Sequence, residues 1–266
     1  MQTLAGKVVV VTGATGGIGR ALCLALAARG CRLGLLGRTP EKLEKLAVEL
    51  RPSGAGGVSP PSVQAVDIGE RAAVAAAIAA VQTELGPIDI LIHNAGVGRM
   101  TDARAPNLDD LEEMLRVNYL GGVYAVEAVL PAMRARGEGQ IVAISSLGAR
   151  RALPWCAGYA ASKIALATYL ESLRPALRRR GIRVSTIYPG FVRTAMSEAL
   201  PLRFPTPMLR PQQAAERIIR AIVGGRREAS FPGYQAAVMS VLRQLPAWAY
   251  DRLMSAAGRI GFKGEY

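Results

Sequence analysis

The chain has 266 residues, half of them apolar and only 5% aromatic, which fits one large α/β domain with a core of Ala, Val, Leu and Ile. Its formal net charge of +13 comes almost entirely from arginines spread along the chain, with no basic cluster interleaved with aromatics, so a nucleic-acid groove is not expected. Its apolar runs fall well short of the ~20 residues a membrane span needs, and its three cysteines show no metal-ligand spacing, so a cytoplasmic protein without a metal is expected.

Strand and helix signals alternate from the start. KVVVVTG (7–13) is a short β-branched run of the kind found in strands buried on both faces. GIGRALCLALAARG (17–30) predicts a helix stopped by Gly30, and CRLGLLGR (31–38) a second strand. TPEKLEKLAVELR (39–51) has Thr at the N-cap position and Pro at the first helical one. PSGAGGVSPP (52–61) predicts a mobile loop. A third strand (62–68) reaching past Asp67 follows, then a helix over 70–85, a fourth strand (88–96) and a long helix over about 108–135. A fifth strand (139–146) ending at Ser146, a helix over about 155–180 and a sixth strand (182–190) come next. Residues 191–211 read as a proline-rich loop, 212–224 as a helix and 229–231 as a short strand. Regular βαβ alternation with buried strands implies a Rossmann-type doubly wound parallel sheet with helices on both faces. One catalytic domain over 1–233 is expected, with a helical tail (234–266) that extends it.

Between the first strand and first helix stands TGATGGIG, with Gly13, Gly17 and Gly19 spaced G-x3-G-x-G. Glycines there let the backbone turn sharply and approach a pyrophosphate, which rests on the helix N-terminus. The end of the second strand tests the cofactor. An acid at that point would bond the adenosine ribose of NAD; here Gly37 leaves room, and Arg38 offers a fork to a 2′-phosphate. NADP(H) is therefore expected over NAD(H).

In GYAASKIAL, Tyr159 and Lys163 are four apart on a predicted helix and share a face. A nearby ammonium favours phenolate, so Lys163 is expected to lower the Tyr159 pKa and let a tyrosine move protons without a histidine. The single histidine, His93, sits in an apolar strand and is expected to be a satisfied structural residue. Ser146, at a strand end, can polarise a carbonyl, while Ser145 is expected to point into the sheet.

These motifs together resemble the short-chain dehydrogenases/reductases over about residues 5–230. The resemblance implies a catalytic tetrad of Asn118, Ser146, Tyr159 and Lys163, with a water on Asn118 linking Lys163 to solvent. It implies cofactor contacts from Gly13, Thr15, Gly17, Ile18, Gly19, Asp67, Ile68, Asn94, Ala95 and Gly96, and from Pro189, Gly190, Val192 and Thr194 in YPGFVRT. HNAG (93–96) departs from the family's N-N-A-G by His93 alone. The implied reaction is NADP(H)-dependent interconversion of a carbonyl and an alcohol. A non-catalytic cofactor-binding scaffold or redox sensor is the alternative, which the complete tetrad disfavours. Pairing through the long helices into a homodimer or homotetramer is also implied.

Leu200, Leu202, Phe204, Met208 and Leu209, with Leu153 and Trp155, suggest an apolar lid and a lipophilic substrate: a steroid, retinoid, fatty-chain or aromatic carbonyl. The apolar, Arg-studded tail is expected to pack on the domain or at an interface, ahead of contact with a membrane surface.

Overall fold

A computed structural model describes residues 3–51, 60–198 and 207–261, from 257 onward for the backbone alone. Most of the loop predicted at 52–61, together with Leu200, Leu202 and Phe204, lies outside the described residues. Strand β1 (Val8–Thr12) is buried along its whole length. Alternate valines feed two cores: Val9 and Val11 join one, Val8 and Val10 the other. Each fully buried valine contributes about 1.5–3 kcal/mol.

Seven parallel strands form one sheet in the order β3-β2-β1-β4-β5-β6-β7. They are β2 (Arg32–Gly37), β3 (Ser62–Ala65), β4 (Ile90–His93), β5 (Gly139–Ile144), β6 (Ile182–Pro189) and β7 (Glu228–Phe231). The core on one face is built with α1 (Gly17–Ala27), α2 (Pro40–Glu49) and α8 (Pro211–Val223). The other face carries α3 (Arg71–Leu85), α4 (Leu108–Leu115), α5 (Gly121–Arg136) and α6 (Ala157–Arg178). A short α7 (Ala195–Glu198) lies in the segment read as loop, and α9 (Gly233–Gln244) and α10 (Ala247–Gly261) form the tail. The Rossmann-type α/β reading holds. Chain order reverses between β1 and β4, so the carboxyl ends of these two strands flank the crevice where open α/β sheets take their ligands.

The fourth strand is shorter than read, and three further differences bear on the site, each with a local cause. Strand β3 stops at Ala65, so Asp67 and Ile68 lie beyond it, where the Asp67 carboxylate accepts from the Gly69 N–H in a tight turn. Strand β5 stops at Ile144, and Ser146 instead caps a 3-10 turn (Leu147–Ala149), its Oγ accepting from the Gly148 N–H at 3.1 Å. The helix expected over 108–135 is interrupted by a π turn, Arg116–Leu120, in which the Gly121 N–H bonds back to the Arg116 carbonyl. Asn118 stands in the middle of that turn. Single π turns concentrate at functional sites because they re-aim one residue without ending the helix.

The tail packs on the domain at its inner end. Met239 of α9 is buried with Leu147, Ala167 and Tyr188, and the Tyr250 hydroxyl of α10 donates to the Ala152 carbonyl. The Arg151 guanidinium lies 4.0 Å from the centre of the Tyr250 ring. Tyr234, Val238, Val241 and Trp248 are exposed, Trp248 at 73%. Among the described residues no helix is long and apolar enough to cross a membrane.

Candidate active site

The glycine loop is shaped by close backbone approach. Gly13 adopts φ +64°, and a Cβ there would stand 2.8 Å from the Ala95 Cα. A Cβ on Gly19 would stand 2.1 Å from the Gly13 carbonyl oxygen. The loop is tied to its neighbours: Ala14 N–H donates to the Leu36 carbonyl, and Asn94 Nδ2 donates to the Thr12 and Gly13 carbonyls at 3.3 and 3.0 Å. Helix α1 opens at Gly16 with no side-chain cap and no acid in its first turn, the form of helix N-terminus that suits an anion. Ile18 packs on the core beneath. A Cβ on Gly37 would meet Thr15 Oγ1 at 3.7 Å, which places Thr15 beside the end of β2. The residues present therefore fit a dinucleotide: a side-chain-free cradle, uncapped helix amides, and Arg38 at the far edge.

Arg38 is 58% exposed and stands 3.8 Å from Glu113. Asp67 is bound to Arg116 at 3.2 Å. Partial burial pushes the Asp67 carboxyl upward, but the Gly69 N–H and the Arg116 charge together hold it below the usual range. Ile68 is buried, and a Cβ on Gly121 would meet its side chain and carbonyl.

On the other side of the crevice, Pro189 ends β6 opposite Phe231, and Val192 is buried in a parallel bridge to Leu209. A Cβ on Gly190 would stand 1.8 Å from Gln235 Oε1, and one on Gly17 would stand 2.6 Å from Thr194 Cγ2. The segment after β6 thus reaches across to the glycine loop. One side chain of the tail anchors it: Gln235 Oε1 accepts from the Phe191 N–H at 3.0 Å, and Gln235 Nε2 donates to the Pro207 carbonyl at 3.0 Å.

Of the four predicted catalytic residues, Asn118 and Lys163 meet at Gly96, Tyr159 lies against Gly98, and Ser146 is hydrogen-bonded to Tyr159. Tyr159, Ser162 and Lys163 lie on the first turns of α6. Asn118 is fully buried; its Oδ1 accepts from the Val97 N–H at 2.7 Å, and its Nδ2 donates to the Val97 carbonyl and to Ser162 Oγ, both at 2.9 Å. A Cβ on Gly96 would lie 2.8 Å from Lys163 Nζ and 3.1 Å from Asn118 Oδ1, so this glycine makes room for both. Lys163 Nζ donates to the Ile144 carbonyl at 3.0 Å. Ser145 is buried and donates to the Lys163 carbonyl at 3.1 Å, which leaves the cleft to Ser146.

Electrostatically the site departs from expectation. Burial pushes the Tyr159 hydroxyl up to about 12, while a hydrogen bond with Ser146 pulls it down and Cys156 adds to the rise. The ammonium of Lys163 is engaged by the Ile144 carbonyl, and burial lowers its own pKa to about 8. Ser146, not Lys163, is the side chain that moderates Tyr159 in this structure.

Two features were not foreseen from sequence. A Cβ on Gly98 would meet Met196 Sδ at 3.1 Å and the Tyr159 ring at 3.5 Å, so Met196 flanks the tyrosine. Gln235 enters from a part of the chain with no motif at all. A methionine in a cleft-side turn carries a weak signal of apolar lining, whereas nothing local marks the glutamine.

A family model described as short chain dehydrogenase matches residues 7–203. An uncharacterized oxidoreductase of Myxococcus xanthus is 36% identical over 252 residues, covering 94% of this chain and 97% of that protein. Dehydrogenase/reductase SDR family member 7B of Bos taurus is 39% identical over 195 residues, covering 71% of this chain and 59% of that protein. Among solved structures, a short chain dehydrogenase from Burkholderia cenocepacia in complex with NADP superposes with a TM-score of 0.77 at 29% identity, covering 97% of this chain and 98% of that one. Levodione reductase gives the same TM-score at 25% identity, covering 88% of this chain and 98% of that one.

Proposed function

Because the chain belongs to the short-chain dehydrogenase family and is an oxidoreductase acting on CH–OH groups, we propose that it interconverts a lipophilic ketone or aldehyde and its alcohol, using NADP(H) in preference to NAD(H). The observation that carries this reading is the convergence of Tyr159, Ser146, Lys163 and Asn118 at the carboxyl end of the sheet, beside the glycine cradle. The bound nicotinamide supplies or accepts the hydride.

The side chains do the rest. Ser146 donates a hydrogen bond to the substrate oxygen and polarises it. Tyr159 delivers the proton to that oxygen in reduction and takes it in oxidation. Its high proton affinity keeps it protonated, which suits it as the acid. Lys163 holds the cofactor ribose and replenishes the proton through Asn118. Gly13, Thr15, Gly17, Ile18 and Gly19 hold the pyrophosphate end, and Asp67, Ile68, Asn94, Ala95 and Gly96 the adenosine side. Pro189, Gly190, Val192 and Thr194 close over the nicotinamide.

The preference for NADP(H) rests on Arg38, which is exposed and shares only a loose ion pair with Glu113. The lipophilic substrate rests on Met196 against Tyr159 and on the exposed Met100, two residues beyond Gly98. Assembly as a homodimer or homotetramer through α4–α6 is part of the same reading, as is a cytoplasmic setting.

The test is fluorescence titration with NADPH and NADH, followed by turnover of a carbonyl panel by wild type and Tyr159→Phe. Tyr159→Phe should bind NADPH as wild type does and lose turnover. Turnover that survives the substitution, or faster reduction of small polar ketones than of bulky apolar ones, would count against the assignment.

A further inference from the structure

His93 is the one departure from the family pattern in HNAG, and its surroundings determine which nitrogen carries its proton. The ring is 1% exposed at the end of β4, paired in register with Thr12 of β1 and Ala143 of β5. Thr12 Oγ1 lies 3.1 Å from His93 Nδ1. The same oxygen accepts from the Asn94 and Ala95 N–H groups, each at 3.1 Å. A hydroxyl has two lone pairs and one proton. With both lone pairs engaged by backbone amides, Thr12 can only donate to Nδ1. Nδ1 is therefore the acceptor, and neutral His93 carries its proton on Nε2.

That Nε2–H is buried and makes no hydrogen bond of proper geometry. Such a donor is costly unless an acceptor is in reach. The edge of the ring that bears it faces α5: a Cβ on Gly122 would stand 3.1 Å from His93 Cδ2. Asn118 stands in the π turn that leads into α5. Burial and the Lys163 charge hold the imidazole pKa down to about 3, against a main-chain interaction with Asn118 that favours the protonated ring.

We propose that His93 is a positioning residue, its Nε2–H directed at the main-chain carbonyl of Asn118 so as to hold the π turn in register with the glycine loop. The bond links two runs of hydrogen bonds into one chain through the main chain and the side chain of Asn118. Thr12 donates to His93, and His93 to the Asn118 carbonyl. Asn118 Nδ2 donates to Ser162 Oγ, and Ser162 Oγ donates to the Tyr159 carbonyl at 2.8 Å. The chain runs from the strand that carries the cofactor loop to the helix that carries the proton donor. It rests on the reading that Asn118 serves the active site.

The full-length protein labelled with 15N-histidine reports a single imidazole. Nδ1 should show the unprotonated shift and Nε2 the protonated one, unchanged from pH 5 to 8. A proton on Nδ1, or an imidazolium in that range, overturns the assignment. Two variants then separate positioning from packing. His93→Gln presents an acceptor to Thr12 and an amide donor towards Asn118. His93→Asn reaches Thr12 and stops short of Asn118. The asparagine variant should show faster amide exchange over 116–122 and a kcat lower by about fivefold, the size expected for one lost hydrogen bond, with the KM for NADPH little changed; the glutamine variant should restore both. Equal exchange in the two variants overturns the proposal. The NMR and exchange readouts need no turnover, so failure of the carbonyl-reduction reading would appear in the Tyr159→Phe comparison and not here.

Discussion

Replacing Lys163 by methionine should abolish turnover and stabilise the fold at pH 7. The lysine is 5% exposed, its ammonium donates to the neutral Ile144 carbonyl, and burial lowers its pKa from 10.5 to about 8. At pH 7 the folded protein therefore holds a desolvated ammonium that the unfolded chain keeps in water. The cost, from the gap between the two pKa values, is on the order of 3 kcal/mol. Methionine removes it and fills similar space, but leaves the Ile144 carbonyl without its donor, a loss of about 1 kcal/mol. The net gain is roughly 2 kcal/mol, which at roughly 2–4 °C per kcal/mol raises Tm by about 4–8 °C. The pH dependence has a definite sign. Between pH 8 and 10.5 the unfolded chain binds the proton that the folded protein has released, so wild-type stability rises with pH and the gap to Lys163→Met closes. Urea unfolding of cofactor-free protein from pH 6 to 10 measures this directly. A variant less stable than wild type at pH 7, or a difference independent of pH, would refute the reasoning.

Three further outcomes follow from the same geometry. Gly19→Ala drives a methyl into the Gly13 carbonyl and should cost about 1–3 kcal/mol of stability and most of the NADPH affinity. Gly17→Ala meets the Thr194 side chain, its Cγ2 at 2.6 Å and its Cβ at 3.2 Å, with no backbone contact as close as the one at Gly19, and should be milder in thermal melts and cofactor titrations. Arg38→Ala should weaken NADPH binding by about 10–100-fold and leave NADH nearly unchanged, as read by fluorescence titration. Asn118→Leu strands the Val97 amide and carbonyl in the core and should lower stability by more than about 2 kcal/mol in urea.

The fold was legible because its signals are local: a β-branched run, a glycine turn, and Thr39-Pro40 at a helix start. Tyr159, Lys163 and Ser146 could be singled out because i to i+4 on a helix and a serine near a strand end are short-range patterns, whereas Asn118 came only from the family resemblance. What stayed hidden depends on contacts between distant parts. A π turn adds one residue and shifts the hydrophobic phase by a single position, a change too small to break the pattern, so 108–135 reads as one helix. The Tyr159 environment depends on burial and on where the Lys163 ammonium goes, and Ile144 supplies that acceptor from another strand. Thr39 stands at the N-cap position but makes no side-chain cap bond, so residue type predicted the place and not the interaction. The saturation of Thr12, which assigns the His93 proton, needs two amides from the β4 end and cannot be read from the letters HNAG.

Gln235 bears on how specificity could diverge among relatives. One carboxamide on α9 clasps both Phe191 and Pro207, so it ties the two stems to the tail, beside the backbone bonds that join the stems to each other. The family model ends at 203, before that helix begins. Drift in the tail can therefore retune the cleft while every recognisable motif stays intact, and comparison of motifs alone would score two such enzymes as alike.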